Sequence, residues 1–301
     1  MGNDILKEIL PVIGTVVSNI FKRMFTFPQM SDDEFERLRR FIYEHLGISI
    51  SPAKKTMLQA RLQKRLRHLN LNSFEEYCNY LFRLKGIESE FPELVDAVTT
   101  NTTEFFREPN HFDFLVNSIL PLWLNTYGYE RAMLLWSAGC SSGEEPYSLA
   151  MVLQDFAEKN PGFNFLILAT DINNKVLQKA VKAIYPEEKA LKIPLSLKKK
   201  YLLRSRDRSK KLVRIAPEIR TKVRFRRLNF VREFKFRKQM DIIFCRNVFI
   251  YFDRITQKRV ILRFCSYLMR GGYLFLGHSE SLSGMQLPLM QVAPSVYQKI
   301  G

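Results

Sequence analysis

The sequence predicts an α/β fold with a doubly wound parallel sheet, preceded by a small all-helical domain. Beyond residue 96, short apolar runs alternate with helical patterns. Between residues 28 and 95, helix-start signals precede apolar residues at helical spacing. We therefore expect a helical domain over 28–95 and an α/β domain over 96–301, with a small β insertion at about 195–230. The strands of the sheet are expected near residues 132–138, 164–170, 240–245 and 272–277.

Three helix starts mark the helical domain. Ser31-Asp-Asp-Glu34 is a capping box, Ser51-Pro52 begins a second helix, and Ser73-Phe-Glu-Glu76 opens a third. The second helix has an apolar stripe at Leu58, Leu62, Leu66 and Leu69. It also carries six bases and no acid, namely Lys54, Lys55, Arg61, Lys64, Arg65 and Arg67. An acid-free run favours a docking surface, and a solvated basic face is the alternative.

The first 27 residues are predicted to be a tail outside both domains. Their apolar residues lie close to helical spacing, so an amphipathic helix is one interpretation and a poorly ordered segment is the other. The apolar stretch is shorter than the ~20 residues of a bilayer span. No signal-peptide pattern is present. A second boundary, a linker between the two domains, is predicted near Phe91-Pro92.

Composition excludes several classes of protein. A chain of 301 residues with 46% apolar content can form one large domain and a smaller companion. The four cysteines and four histidines are scattered, without disulfide or metal-ligand spacing. We therefore predict no metal site, no disulfide framework and a cytoplasmic location.

The positive charge is concentrated in one segment. Between Lys189 and Lys238 there are 20 Lys and Arg residues against three acids, which accounts for the net charge of +17. Such a segment attracts an acidic partner, and charge alone does not choose between nucleic acid, an anionic membrane and an acidic protein. A solvated basic surface without a specific partner is the alternative.

The most informative segment is Gly139-Cys-Ser-Ser-Gly-Glu-Glu145, which follows an apolar run. A second apolar run stops at Asp171, so strand, loop, helix, strand and acid together indicate a nucleotide-binding α/β unit. The loop is not Gly-x-Gly-x-x-Gly, and its two glutamates would repel a pyrophosphate. Because carboxylates attract a sulfonium and an ammonium, we predict S-adenosylmethionine as the cofactor rather than a dinucleotide.

Motifs along most of the chain carry a resemblance to a known family. In order they are Thr100-Asn-Thr-Thr-Glu-Phe-Phe-Arg107, Trp136-Ser-Ala-Gly-Cys-Ser-Ser-Gly-Glu-Glu-Pro-Tyr-Ser148, Ala169-Thr-Asp-Ile172, Cys245-Arg-Asn-Val-Phe-Ile-Tyr-Phe252 and Gly277-His-Ser-Glu-Ser281. From about residue 30 to the C-terminus, the chain resembles the CheR family of chemotaxis receptor glutamate O-methyltransferases. The resemblance implies a Rossmann-like methyltransferase domain that uses S-adenosylmethionine, releases S-adenosylhomocysteine and forms glutamate methyl esters on receptors.

The resemblance also implies roles for individual residues around the cofactor. Asn101, Thr103 and Arg107 match a polar cluster at its methionine end, although the first two also suit a helix cap. Glu144 matches a cofactor-contacting glutamate, with Glu145 as the neighbouring candidate. Both glutamates also suit the positive end of the next helix dipole.

The ribose and adenine contacts are implied in the same way. Asp171 matches the ribose-binding acid, and its alternative role is an N-cap of the following helix. Asn229 and Phe230, at the end of the basic insertion, match a pair that flanks the adenine.

For the catalytic step, Arg246 and Asn247 match contacts beside the transferred methyl, and Tyr251 lies near the same place unless it is ordinary core. Glutamate is already ionised at neutral pH, so the reaction requires positioning rather than a general base. Arg246 and Arg107 are candidates to hold a carboxylate as a bidentate fork. His278 is interpreted as a structural turn residue.

The expected partner is the glutamate-rich helical bundle of a chemotaxis receptor, and the enzyme is expected to be a cytoplasmic monomer recruited to membrane-bound receptor arrays. Lys54, Arg61 and Arg65, spaced along one helix face, are the predicted docking residues. Some relatives grip a receptor C-terminal peptide with a glycine-containing loop. Here that stretch, Arg204-Ser-Arg-Asp-Arg-Ser-Lys-Lys211, has no glycine, which favours direct recognition of the bundle.

Two other classes of function fit parts of the sequence. A nucleic-acid methyltransferase would suit the basic charge, but it would place an Asn/Asp-Pro-Pro-aromatic motif where this chain has Cys245-Arg-Asn-Val248. We therefore expect no nucleic acid partner. A catalytically silent interaction module is the second alternative, and the intact set of predicted site residues argues against it.

Overall fold

The structure is a computed structural model that describes residues 28–301. It divides into two compact units. The helical unit contains Ser51–Val98 with the described residues up to Arg40, and the sheet unit contains Phe41–Ile50 and Thr99–Gly301. The predicted tail, residues 1–27, lies outside the described residues.

The helices and strands have the following bounds. The helices are α1 (Asp32–Leu46), α2 (Lys55–Leu69), α3 (Phe74–Leu81), α4 (Leu84–Val98), α5 (Pro109–Phe114), α6 (Leu120–Tyr127), α7 (Glu144–Lys159), α8 (Asn174–Lys182), α9 (Leu195–Tyr201), α10 (Pro217–Arg220) and α11 (Arg254–Tyr267). The strands are β1 (Met133–Ala138), β2 (Phe165–Asp171), β3 (Ile184–Pro186), β4 (Leu202–Arg204), β5 (Leu212–Ile215), β6 (Val223–Arg227), β7 (Met240–Cys245), β8 (Leu268–Leu276), β9 (Leu289–Ala293) and β10 (Val296–Lys299). Over residues 28–301, no helix is long and apolar enough to cross a membrane.

The helical unit follows the predicted pattern with one exception. The leucine stripe of α2 is buried at Leu58, Leu62 and Leu66. Helix α4 continues through Pro92, so the linker predicted near Phe91-Pro92 is wrong. Proline removes a main-chain hydrogen bond from a helix interior. Burial of the apolar residues that follow it in α4 offsets this cost.

The main sheet has the strand order β6-β2-β1-β7-β8-β10-β9. The first five strands are parallel, and β10 is antiparallel to both β8 and β9. The four predicted strands are confirmed as β1, β2, β7 and β8. Strand order reverses between β1 and β7, and the carboxyl ends of the strands at such a switch point flank the crevice where doubly wound sheets bind ligands.

The two faces of this sheet differ because successive strand residues point to opposite sides. We call the side that carries Leu135, Ile167 and Val223 the first face, and the side that carries Trp136 and Leu168 the second face. The first face packs in one hydrophobic core with α7, and the second face packs against α11 in another.

A small antiparallel sheet, β3-β5-β4, forms the insertion between β2 and the rest of the main sheet. Its first strand starts at Ile184, earlier than the predicted 195. The segment Val223–Arg227 was predicted to belong to the insertion, but it is β6, an edge strand of the main sheet parallel to β2. Alternating apolar and basic residues suit both locations, because each gives the strand one buried side and one exposed side.

Candidate functional site

The loop after β1 is drawn against the end of β2. The carbonyl of Thr170 accepts the N–H groups of Gly139 and Cys140 at 2.8 and 2.9 Å. Gly139 has φ of +83°, and a Cβ atom at this residue would lie 2.4 Å from Cγ2 of Val248. Glycine is therefore needed here both for the left-handed backbone and for close approach of the loop that follows β7.

Asp171 organises this loop through main-chain contacts. One carboxylate oxygen accepts the N–H of Ser141 at 2.8 Å, and the other accepts the N–H of Asn173 at 2.9 Å. The cap of α8 is Asn173, whose side chain accepts the N–H of Val176, so the alternative that Asp171 is the N-cap is wrong. The Asp171 carboxylate therefore ties the loop after β1 to the start of the connection after β2.

Glu144 is fully buried at the start of α7. Its Oε1 lies 2.6 Å from Nζ of Lys189, and its Oε2 accepts the hydroxyl of Ser142 at 2.6 Å. From the sequence, Glu144 was expected to present its negative charge to a cationic cofactor. The structure shows instead that an insertion lysine neutralises it.

Glu145 is also paired, but its residue remains 9% exposed. Its two oxygens accept the hydroxyl of Ser137 and Nε–H of Arg246, both at 2.7 Å. Between the two glutamates, the residual exposure favours Glu145 rather than Glu144 as the group that contacts a ligand.

Arg246 is held on several sides by protein groups. Its Nε donates to Glu145. Its Nη1 donates to the carbonyl of Arg107 at 2.6 Å and lies 3.5 Å from Oε2 of Glu108. A bidentate fork uses Nη2 together with either Nε or Nη1. Both of those atoms are already occupied, so the suggestion that Arg246 grips a carboxylate in this way is wrong. Arg246 instead fixes the segment around Arg107 next to Glu145.

Asn247 follows in the left-handed conformation, with φ of +59°. Its N–H donates to Oε2 of Glu280 at 2.9 Å, and that carboxylate also accepts the N–H groups of Gly277 at 2.7 Å and Phe249 at 2.7 Å. Burial raises the pKa of Glu280, and the main-chain donors oppose that rise. Glu280 is not among the predicted site residues, although its place in the Gly277–Ser281 motif was a usable signal.

The residues before α5 meet the same loops. The carbonyl of Asn101 accepts the hydroxyl of Ser141 at 2.9 Å. Thr103 and Arg107 are half-buried, and within residues 28–301 the Arg107 guanidinium has no carboxylate partner. Phe106 and Glu108, on either side of Arg107, both have positive φ. The two positive φ angles constrain the backbone at Arg107. Its guanidinium can therefore bind an anionic group.

Three ligand-type side chains meet beside Arg246, although they are dispersed in the sequence. Atoms of Glu108, His111 and His278 lie within 4.8 Å of one another. Burial, followed by the charge of Arg246, lowers the pKa of His111 to about 4. The guanidinium already supplies the positive charge at this carboxylate, which disfavours a metal ion. His278 is half-exposed, and its main-chain N–H donates to Glu108 at 3.3 Å.

The predicted adenine pair has other contacts. The Asn229 amide donates to the carbonyl of His45 at 2.8 Å, and its oxygen accepts the N–H of Val231. The ring of Phe230 is buried edge-on against Trp136 at 5.9 Å. Because the ring packs inward, a contact from Phe230 to an adenine would use main-chain atoms.

The remaining predicted residues lie in two places. Tyr251 is half-buried at the end of a 3-10 turn in the sheet unit, so it is not ordinary core. In the helical unit, Lys54 is exposed, whereas Arg61 donates to the carbonyl of Val98 at 2.6 Å. Arg65 forms a bidentate ion pair with Glu90 at 2.7 and 2.8 Å. Arg65, predicted as a docking residue, is therefore paired inside the helical unit and does not present a free charge on that helix face.

The contacts bring four of the ten residues predicted for the cofactor and methyl-transfer site, namely Asn101, Arg107, Asp171 and Arg246, into two hydrogen-bonded groups. Asn101, Ser141 and Asp171 form one chain of contacts, and Glu145, Arg246 and the main chain of Arg107 form another. Around the loop lie its main-chain groups, the carboxylates of Asp171 and Glu145, and the Arg107 guanidinium, which has no carboxylate partner within residues 28–301. This donor set suits a ligand that carries hydroxyls, an ammonium and a carboxylate, as S-adenosylmethionine does.

Comparisons with known proteins show the family to which this chain belongs. Residues 101–297 match the family model described as CheR methyltransferase, SAM binding domain, and residues 33–99 match CheR methyltransferase, all-alpha domain. A chemotaxis protein methyltransferase of Borreliella burgdorferi is 42% identical over 90% of this chain and 95% of its own. Chemotaxis protein methyltransferase 2 of Pseudomonas aeruginosa is 37% identical over 88% and 92%. The chemotaxis protein methyltransferase of Escherichia coli is 36% identical over 89% of this chain and 91% of its own.

Proposed function

Since the chain belongs to the CheR methyltransferase family and is an S-adenosylmethionine-dependent methyltransferase, we propose that it esterifies glutamate side chains of chemotaxis receptors. The observation that carries this proposal is the arrangement of two hydrogen-bonded groups, Asn101 with Asp171 through Ser141 and Glu145 with Arg246, at the carboxyl ends of β1, β2 and β7. These residues come from distant parts of the sequence, and their contacts assemble one polar site at the strand switch point.

The cofactor, when bound, supplies an electrophilic methyl group. The chain then has to orient the acceptor carboxylate and exclude water, because an ionised glutamate is already a nucleophile at neutral pH. Burial raises the pKa of the thiols of Cys140 and Cys245, so neither cysteine competes as a thiolate. His111, with its lowered pKa, is neutral at pH 7 and adds no charge beside Arg246.

Each residue near the cofactor has a separate task in this proposal. Arg107 holds the cofactor carboxylate, because its guanidinium has no ion pair within residues 28–301. Glu145 faces the cofactor ammonium, and Asp171 accepts ribose hydroxyls. Asn247, with its amide at the end of β7, orients the methyl-transfer step, and Tyr251 lies four residues further on.

The receptor partner is proposed to be a glutamate-rich helical bundle that recruits the enzyme to membrane-bound arrays. On the helical unit, Lys54 remains a predicted docking residue because it is exposed. Arg65 is not retained in that role, because docking would have to break its ion pair with Glu90. A monomer is sufficient, since the site network is built from one chain.

The test is transfer of a tritiated methyl group to purified receptor signalling domains, followed by alkali. We expect label on the receptor that is released as methanol, as a methyl ester requires. Receptor domains whose methylation-region glutamates are replaced by glutamine are the matched control. Alkali-stable label on DNA or RNA would indicate a nucleic-acid methyltransferase. Failure to bind S-adenosylmethionine would indicate a silent interaction module.

A further inference from the structure

The second face of the main sheet is covered incompletely. The connection from β6 to β7, residues 228–239, passes this face without forming a helix. Its aromatic residues pack on the strand β1: the rings of Phe234 and Phe236 lie 5.8 and 4.9 Å from that of Trp136. The cover provided by these rings therefore lies over β1, and it leaves part of β2 and β6 open.

Burial along β2 and β6 shows the open area directly. On the first face, Ile167 and Val223 are buried. On the second face, Leu166 is 44% exposed; it lies near the start of β2, the second strand from the edge, and pairs with Leu134 of β1. We call the open area, defined by Leu166, Leu168, Arg224 and Arg226, the open sheet face. Leu168 pairs with Arg224, and Arg226 is two residues further along the same side.

The charge around the open sheet face has one sign. Arg224 and Arg226 are exposed on the strand itself. Neither has an ion pair with any carboxylate of residues 28–301. The adjoining connection adds four exposed bases and a single acid, Glu233. The bases are Arg232, Lys235, Arg237 and Lys238.

We propose that the open sheet face is a docking site for an acidic amphipathic helix of another protein. A helix is the usual cover of a parallel sheet face, and its diameter of about 10 Å spans two strands that lie about 4.8 Å apart. The exposed Leu166 and the half-buried Leu168 would receive the apolar stripe of the helix. Its flanking carboxylates would pair with Arg224 and Arg226.

The mixed chemistry of this face favours a protein helix over the other acidic partners. A nucleic acid would use the arginines but leave the leucine side chains without an apolar partner. An anionic bilayer would also require apolar groups that protrude beyond the polar ones, whereas Leu166 and Leu168 stand on a sheet face beside the longer side chains of Arg224 and Arg226. None of the four residues belongs to the cofactor network, so this proposal does not rest on the proposed methyl transfer.

The test uses the full chain and a fluorescent 21-residue synthetic helix with leucine at positions i, i+3, i+4 and i+7 and glutamate elsewhere on its surface. Arg224→Glu with Arg226→Glu should weaken binding at least tenfold, and Leu166→Ser should weaken it about three- to tenfold. The charge-matched control is Arg206→Glu with Arg270→Glu, two exposed arginines without a carboxylate partner in the described chain. A peptide of the same composition in scrambled order controls for the apolar stripe. Binding of S-adenosylmethionine should be unchanged in every variant, which shows that the fold is intact.

Several results would overturn the proposal. Equal weakening by the control pair, or equal binding of the scrambled peptide, would mean that the attraction is nonspecific charge. An unaffected Leu166→Ser variant would mean that no apolar contact forms. The chain could also bind a 20-base-pair DNA, or vesicles containing one quarter phosphatidylglycerol, more tightly than the peptide. If the variant with Arg224→Glu and Arg226→Glu lost that binding, this face would be assigned to nucleic acid or membrane instead.

Discussion

The main-chain N–H of Asn247 donates a hydrogen bond of 2.9 Å to the carboxylate of Glu280, which lies 33 residues further along the chain. The same carboxylate binds the N–H of Phe249, so it fixes the backbone on both sides of Val248. Asn247 has positive φ, a conformation that costs an asparagine less than most residues but still requires support. Glu280 provides that support from β8's side of the sheet.

Replacing Glu280 with Gln should reduce turnover at least tenfold and change the dissociation constant of S-adenosylmethionine by less than threefold. The amide nitrogen of glutamine would face main-chain N–H donors, and each lost bond to a buried donor costs about 1–3 kcal/mol. Kinetics at saturating receptor and calorimetry with the cofactor are the two measurements. Ser279→Ala, one residue away, is the control. Equal loss of turnover and affinity would mean that Glu280 only stabilises the fold.

Replacing Asn247 with Gly should also lower turnover at least tenfold at saturating receptor. Glycine retains the left-handed backbone, so this variant removes the side-chain amide without adding strain. Asn247→Ala should be slightly less stable than Asn247→Gly and equally slow. Unchanged turnover in the glycine variant would remove the amide from the methyl-transfer step.

Replacing Asp171 with Ala should weaken cofactor binding by about 1.5–3 kcal/mol, because charge-assisted hydrogen bonds to ribose hydroxyls are lost. Thermal unfolding without cofactor measures the separate cost of losing the bonds to Ser141 and Asn173. A folded variant whose calorimetric affinity equals that of the wild type would assign Asp171 to loop structure alone.

The pKa of His111, about 4 in the folded chain, predicts a pH dependence of stability. An unfolded histidine has a pKa near 6.5. The unfolded state therefore binds more protons in this range. The contribution of neutral His111 is fully present above pH 6.5 and is lost as the pH falls towards 4, by up to about 3 kcal/mol.

Urea unfolding of the wild type and of His111→Asn at pH 7.5 and 5 would measure this difference. The variant should lose less stability on acidification. His68→Asn, which changes an exposed histidine, is the control. Parallel pH profiles of the wild type and the His111 variant would contradict the prediction.

Replacing Arg65 with Ala should destabilise the chain by about 3–5 kcal/mol. It would leave the Glu90 carboxylate, in a residue that is 2% exposed, without its cation. Receptor concentration at half-maximal rate should change little in the protein that remains folded. Lys64→Ala, at an exposed neighbour, is the control for both measurements. A tenfold rise in that concentration without loss of stability would restore Arg65 as a docking residue.

The main sheet could be predicted because its central strands are covered on most of both faces and therefore appear in the sequence as nearly continuous apolar runs. The strand β6 could not be placed in the same way. The alternation of Val223 and Phe225 with arginines indicates a strand with one buried side. It does not indicate which sheet the strand joins, because that depends on long-range pairing. Pro92 misled the boundary prediction, because local propensity was outweighed by burial of the α4 residues around it.

At the candidate site, residue types could be predicted but pairing could not. A sequence shows that Glu144, Glu145 and Arg246 are charged. It does not show that Glu145 and Arg246, which are 101 residues apart in the chain, form a hydrogen bond of 2.7 Å. The same limit applied to Arg65, whose partner Glu90 lies two helices away. Glu280 was overlooked because its function is to accept main-chain N–H groups, which every residue except proline offers.

The insertion touches the cofactor loop at two points. Besides the ion pair of Lys189 with Glu144, the hydroxyl of Tyr185 in β3 donates to the carbonyl of Ser142 at 2.7 Å. A molecule that displaced Tyr185 or Lys189 on binding the insertion would therefore break a contact with the loop or with the start of α7. If that displacement changed the affinity for the cofactor, bound cofactor would change the affinity of the insertion for the molecule by the same factor.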